Sequence, residues 1–267
     1  GYLHLGHAAS AAQAFGFAAK HDGVCLLRIE DIDTGRCRPE YEDAIYEDLA
    51  WLGFTWPQPV RRQSDHFRDY ETTLEALRNI GVVYRCFKTR KELIEDSLRA
   101  PHETEQVYRG PKTPLSRAEK RALIDSGKPY AWRLSLAACQ KHLGAAYDSM
   151  TFRAGGKTAA ANPDLLGDVI IARKDVGTSY HLACCHDDAL QRISHIVRGE
   201  DLREAAHIHR LLQELMGWPV PNYHFHALLT GPDGKRLAKR DKAQTLRSLR
   251  QDGLLPQNIL SRAALAG

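Results

Sequence analysis

Cysteine is scarce in this 267-residue sequence, and the six present (Cys25, Cys37, Cys86, Cys139, Cys184, Cys185) show no framework spacing. A disulfide scaffold is excluded on that ground, and a reduced, cytoplasmic setting is the expectation. Glycine and proline are also modest, at 20 and 12, which excludes collagen-like and low-complexity chains. No apolar run approaches the roughly 18–20 residues of a membrane span, so a soluble chain with no membrane association is expected. A basic-then-apolar leader is missing too, which gives no sign of secretion. Net charge is small, with 37 Lys+Arg against 33 Asp+Glu.

What is present is apolar material for a sizeable core, 43% of residues, in a length that suits one large domain or two small ones. The small net charge is unevenly spread. Arg28 to Ala50 holds eight acids and three bases, whereas Gly231 to Arg250 holds seven bases and two acids. That asymmetry suits a protein handling a polyanion or a nucleotide, although solvated helix faces also produce it.

Along the chain, an Ala-rich stretch predicts a helix from near His7 to Lys20. Val24 to Ile29 reads as a buried strand, followed by helices over Pro39–Leu52, with Pro at its first turn, and Phe67–Ile80. This rhythm predicts an α/β chain with a parallel sheet. From Val82 the pattern loosens around Pro101, Pro111, Pro114 and Pro129, which marks an inserted subdomain. The rhythm returns with strands at Asp168–Arg173 and Ile193–Arg198, a helix over Ala205–Met216 and a strand at His224–Thr230. The last residues are expected to be helical. The segments are then 1–81 and 166–230 as two halves of one domain, 82–165 as the insertion, and 231–267 as a basic loop with a short helical tail.

Two stretches carry nucleotide chemistry. His4-Leu5-Gly6-His7 lies at a loop-to-helix junction, where Gly6 permits close backbone approach and the helix start attracts phosphate. Its imidazoles could donate to phosphate oxygens as charge builds; the alternative is a pair of surface or metal-binding histidines. Far downstream, Lys235, Arg236, Lys239 and Arg240 put four cations on a turn-flanked loop that could clamp a triphosphate, or simply form a solvated basic loop.

Together these segments resemble a class I aminoacyl-tRNA synthetase of the glutamyl type. His4 to His7 resembles the HIGH signature, and Arg236-Leu237-Ala238-Lys239-Arg240 resembles the glutamyl form of KMSKS, with Ala238 in place of Ser. Leu27 to Asp33, Arg62 to Asp65, Tyr180 to Ala183, Asp187-Asp188 and Val197 to Asp201 are similar to five further blocks in the family's order. The resemblance implies a Rossmann-type catalytic domain that binds ATP with Mg2+ through His4, Gly6, His7, Arg236, Leu237 and Lys239. His4, His7 and Lys239 are then the catalytic set.

The family's amine-binding carboxylate falls on Glu30, and Tyr180 and Arg198 complete a pocket for L-glutamate. Bottom-up chemistry agrees. Glutamate needs an anion near its ammonium and a cation for a carboxylate, and both residues stand at strand ends. A structural ion pair is the alternative for them. Asp187 and Asp188 are left without a role. The family's opening strand reads Arg-Phe-Ala-Pro-Ser-Pro-Thr-Gly, and the sequence begins at its final Gly, so that strand's glutamate-contacting Arg and Ser are not in it.

Only 27 residues follow Arg240, whereas glutamyl enzymes continue into a helical anticodon-reading domain. The short form resembles a paralogous glutamyl-queuosine group. That implies glutamate activation without tRNA, then transfer to the queuosine base in the anticodon of tRNA-Asp. A monomer is expected, with the basic residues Arg240 and Lys242 as candidates for contacting the anticodon-loop phosphates. A truncated glutamyl-tRNA synthetase and a non-catalytic nucleotide- or RNA-binding paralogue are the alternatives. Zinc is expected to be absent. Relatives carry Cys-x-Cys and Tyr-x-x-x-Cys in the insertion, but Lys88 and Lys112 stand where two thiolates would be. His181, Cys184, Cys185 and His186 have the wrong spacing to replace them.

Overall fold

The computed structural model describes residues 1–89, 91–93, 107–111, 113–229 and 244–265. Helix α1 (Leu5–Lys20) starts at His4 and runs on alanines, which lose no side-chain entropy in a helix. Strand β1 (Arg28–Ile29) follows, then α2 (Pro39–Trp51), with Pro39 at its first turn and Glu40 and Glu42 facing the positive helix end. Strand β2 (Arg61–Arg62) leads through a short 3-10 turn into α3 (Phe67–Asn79), which buries Tyr70, Leu74 and Leu77 on one face.

The looser stretch contains β3 (Val83–Cys86), α4 (Arg117–Asp125), β4 (Ala131–Leu134), α5 (Leu136–Leu143), α6 (Ala145–Ser149), β5 (Thr151–Ala154) and β6 (Lys157–Ala160). Helix α4 is set by the Ser116/Glu119 capping box, a signal as local as the sequence offers. Then come β7 (Ile170–Arg173), α7 (Tyr180–Leu190), β8 (His195–Gly199), α8 (Ala205–Met216) and β9 (Asn222–His226). Helices α9 (Leu246–Gln251) and α10 (Pro256–Leu265) close the described chain.

Among the described residues the strands form three sheets: β1-β2, β3-β4-β7 and β6-β5-β9-β8. The β1-β2, β5-β9 and β8-β9 pairs are parallel, with β8 and β9 in register from His195–Asn222 to Gly199–His226. The molecule is therefore mixed α/β, with less parallel sheet than its apolar rhythm predicts. Strand β7, expected to resume the parallel sheet, pairs antiparallel with β4 instead. Only Arg28–Ile29 of the Val24–Ile29 run is strand, and Val24 and Leu26 are 70% and 38% exposed. An apolar run reports that side chains avoid water somewhere, not which backbone will lie beside it.

The largest core cluster joins α3, β4, α5, β7, α7 and α8 through Tyr70, Leu77, Leu134, Ile171, Leu182, Ile208 and Leu211. A second one ties the molecule's two ends together: Ala8 of α1 meets Leu52, Leu246 and Leu249, with Ile259 of α10 behind them. Each such leucine or isoleucine contributes about 1.5–3 kcal/mol relative to an exposed one. None of the described helices is long and apolar enough to cross a membrane.

Candidate active site

Helix α1 lies along β8 and β9 in the opposite direction to them. Ser10 Oγ is 3.1 Å from His226 Nε2 at the end of β9, while Phe17 and His21, further down the helix, lie with their rings 5.5 and 6.5 Å from that of His195 at the start of β8. The amino end of α1 therefore stands at the carboxyl ends of the parallel strands, where open α/β sheets bind ligands. His4 and His7 flank that end, with ring centroids 3.9 Å apart.

Their tautomers follow from their hydrogen bonds. His4 Nδ1 accepts from the Gly6 N–H at 3.1 Å, and His7 Nδ1 accepts from the His4 N–H at 3.1 Å. A backbone N–H only donates, so each neutral ring carries its proton on Nε2. Gly6 is needed for this arrangement, because a Cβ there would lie 3.0 Å from His4 Cε1 and push the ring aside.

The basic loop, with Arg236, Leu237, Lys239, Arg240 and Lys242, lies outside the described residues, but both of its flanks are placed. Leu229 packs on Ala9 and Leu5 of α1. Thr245 bridges His4, and the Leu246 N–H donates to the Leu3 carbonyl at 2.8 Å. Both flanks thus meet α1 near its amino end.

Glu30 follows β1, with its side chain 39% exposed. Arg28 Nη2 and Nε donate to its carboxylate at 3.0 and 3.3 Å. Arg28 is held in turn by Asp188 at 2.8 Å and Gln191 at 3.1 Å. Asp187, fully buried, accepts from Arg61 at 2.7 Å, Gln63 at 2.9 Å and Tyr70 at 2.8 Å. The adjacent aspartates thus clamp α7 to β1 on one side and to β2 and α3 on the other. Sequence reasoning left both without a role, although a doubled acid in a core helix is itself a signal that cations await it.

Arg198 sits on β8, 92% buried, over the rings of Tyr223 and Phe225 at 5.0 and 5.7 Å. Its Nη1 donates to Tyr180 Oη at 3.2 Å and to His209 Nδ1 at 3.4 Å. Its Nε and Nη2, also buried, have no hydrogen-bond partner among the described residues. Tyr180 is pushed well above the ordinary phenol range, first by burial and then by nearby Cys184 and Glu30, with Arg198 opposing. Tyr180 therefore feels both Glu30 and Arg198. Next to Arg198, a Cβ on Gly199 would come within 2.6 Å of Asp201 Oδ1 and 2.7 Å of Leu228 Cδ2, so a side chain there would have to displace both.

The four candidate metal ligands on α7 diverge. His181 meets His209, Cys184 lies against Arg28 and Asp188, and His186 Nδ1 is 2.9 Å from Thr73 Oγ1. Among the described residues no three His, Cys, Asp or Glu side chains are arranged to hold a metal ion. Cys86 Sγ donates to Tyr108 Oη at 3.8 Å, and Lys112 lies outside the described residues.

A helix start at the carboxyl ends of parallel strands is a nucleotide-binding geometry common to α/β enzymes. The family model for class I tRNA synthetases (E and Q), catalytic domain, matches residues 1–267, and the chain belongs to that family. It is 41% identical to a glutamyl-Q tRNA(Asp) synthetase of Rhodobacter capsulatus, over 97% of this chain and 94% of that one. It is 33% identical to a glutamate–tRNA ligase of Aquifex aeolicus, matching along its full length but spanning 55% of that enzyme. The crystal structure of the glutamate–tRNA synthetase from Elizabethkingia anophelis superposes with a TM-score of 0.79 at 26% identity, over 99% of this chain and 59% of that one.

Proposed function

We propose that this protein activates L-glutamate with ATP and transfers it to the queuosine base in the anticodon of tRNA-Asp. The observation that carries the amino-acid half is the Nε/Nη2 edge of Arg198, buried and without a partner among the described residues. Leaving such donors unsatisfied costs several kcal/mol in an apolar medium, and a carboxylate removes that cost through a bidentate pair. Glu30 supplies the opposite charge for the α-ammonium, and Tyr180 offers a ring wall beside the fork. Similarity to the Rhodobacter capsulatus protein over nearly its whole length supports the acceptor half.

Activation needs no side-chain nucleophile. The glutamate α-carboxylate oxygen attacks the ATP α-phosphorus, the bond to the bridging oxygen breaks, and pyrophosphate leaves with its electron pair. In this reading the Nε2–H groups of His4 and His7 donate to phosphate oxygens beside the dipole of α1. Arg236 and Lys239, on a loop whose flanks meet that helix end, follow the charge onto pyrophosphate, with Gly6 and Leu237 shaping the ATP site. Mg2+ bound with ATP neutralises part of the phosphate charge. In the same reading the parallel pairs β1-β2, β5-β9 and β8-β9 are parts of one Rossmann-type nucleotide-binding sheet.

The test is pyrophosphate exchange with the protein from its full reading frame. Exchange should depend on glutamate and proceed without tRNA; exchange driven equally by aspartate or glutamine contradicts the pocket. The 33% identity to a glutamate–tRNA ligase favours a second reading, the catalytic part of an enzyme that charges tRNA-Glu at its 3′ end. The acceptor separates the two.

A further inference from the structure

We infer that His209 is a positioning residue for Arg198. Through a directed chain of hydrogen bonds ending on His181, it turns the guanidinium so that the Nε/Nη2 edge faces the substrate's side-chain carboxylate. This deepens the glutamate reading and rests on it.

The chain has only one possible direction. A guanidinium has donors and no acceptor, so His209 Nδ1, 3.4 Å from Arg198 Nη1, must accept. The His209 proton is then on Nε2, which lies 3.2 Å from His181 Nδ1. That nitrogen accepts in its turn, and the His181 proton also falls on Nε2. Both hydrogens of Arg198 Nη1 are used, one on Tyr180 Oη and one on His209. The donors without a partner among the described residues therefore lie on one edge of the plate, in the spacing that a carboxylate's two oxygens match.

Both imidazoles must stay neutral for this to hold. A charged His209 would set an N–H against Nη1, and like charge against like. The surroundings oppose that charge. His209 is completely buried and held far below the usual imidazole range by burial first, then by Arg198, His181 and Arg28. His181 is pushed down to about 4, again by burial and then Arg198. The other groups facing the pair are Tyr180, whose ring lies 5.5 Å from each imidazole, and the Cys185 thiol on the His209 carbonyl. His181 also lines a cleft of about 490 Å³ with Glu204, Arg133 and Asp168.

A fixed edge does more than bind. Glutamine would turn its NH2 group toward an Arg N–H, donor against donor, and a site with an unpaired buried donor rejects such a ligand strongly. If the plate could rotate, that rejection would weaken.

The experiment has two readouts. In the wild type, long-range 1H–15N ring correlations should find His209 and His181 neutral as Nε2–H tautomers at pH 6. An Nδ1–H tautomer or an imidazolium at His209 overturns the inference. In pyrophosphate exchange, His209→Leu should raise the glutamate KM about tenfold to a hundredfold, the usual worth of a hydrogen bond to a charged group. The ATP KM and kcat should change little, and glutamine should begin to compete. His209→Gln, which can accept from Nη1 and donate to His181, should restore the glutamate KM. An unchanged KM in His209→Leu, or a joint loss in kcat and both KM values without rescue by Gln, contradicts positioning. Should His209→Leu fail to fold, the wild-type tautomers decide. No glutamate-dependent exchange in the wild type, with the tautomers as stated, overturns the glutamate reading while upholding the orientation of Arg198.

Discussion

Arg198 concentrates the proposed recognition in one side chain, and its environment sets what each substitution does. The plate is stacked on Tyr223 and Phe225, so lysine cannot replace it: an ammonium offers neither a planar face nor a fork. Arg198→Ala should weaken glutamate by about 2–5 kcal/mol, at least roughly thirtyfold in KM, as truncation of buried charge partners generally does. Arg198→Lys should recover little of it. Steady-state exchange at varied glutamate measures both; full activity in Arg198→Lys would show that charge alone suffices and that the fork is irrelevant. His4 and His7 act on a different quantity. His7→Ala should lower kcat by about a hundredfold to a thousandfold, the effect of losing one donor to developing charge, with the glutamate KM nearly unmoved. Equal damage to KM would place His7 in the glutamate pocket instead.

At the scale of elements, α7 is the strut that brings the pieces into register. Asp187 faces β2 and α3, Asp188 faces β1, and Tyr180 and His181 at its amino end face β8 and α8. Removing Asp187 leaves Arg61 without its closest buried partner and the Tyr70 hydroxyl without its acceptor. Asp187→Ala should therefore destabilise by about 3–5 kcal/mol, read from urea midpoints. A loss under about 1 kcal/mol, the range of an exposed ion pair, would mean that the network is solvated in solution. The stretch around Cys86 carries a separate expectation about metal. Cys86 already bonds Tyr108, and two positions on stands Lys88, whose ammonium cannot ligate a metal. Elemental analysis should find zinc well below one per chain; one tightly held zinc would contradict this.

How much of this was legible in the sequence depended on how local its causes are. The α1 start, the Pro39 helix and the Ala205–Met216 helix are written in caps, prolines and a 3.6-residue period, and they appear within a residue or two. The Val24–Leu27 stretch and the pairing direction of β7 are not legible, because pairing is a property of two segments. Glu30, Tyr180 and Arg198 are legible through the family resemblance of the blocks that hold them. His209 did not: its meaning comes from Arg198 and His181, 11 and 28 positions away, and nothing local marks a helix histidine as part of a chain.

At the scale of the whole molecule, the amino end of α1, the ends of β8 and β1, and both flanks of the basic loop converge on one side. An acceptor must approach the adenylate from there, and the queuosine nucleotide must be unstacked to reach it, as single-stranded RNA recognition generally requires. Arg240 and Lys242 would then meet loop phosphates, so transfer should fall steeply as salt rises from about 50 to 200 mM. The most direct measurement offers labelled glutamate to tRNA-Asp with and without queuosine, and to tRNA-Glu, each with an intact or removed 3′ terminal adenosine. The account predicts labelling of tRNA-Asp that requires queuosine and survives loss of the 3′ adenosine. Labelling of tRNA-Glu that disappears with its 3′ adenosine would contradict it.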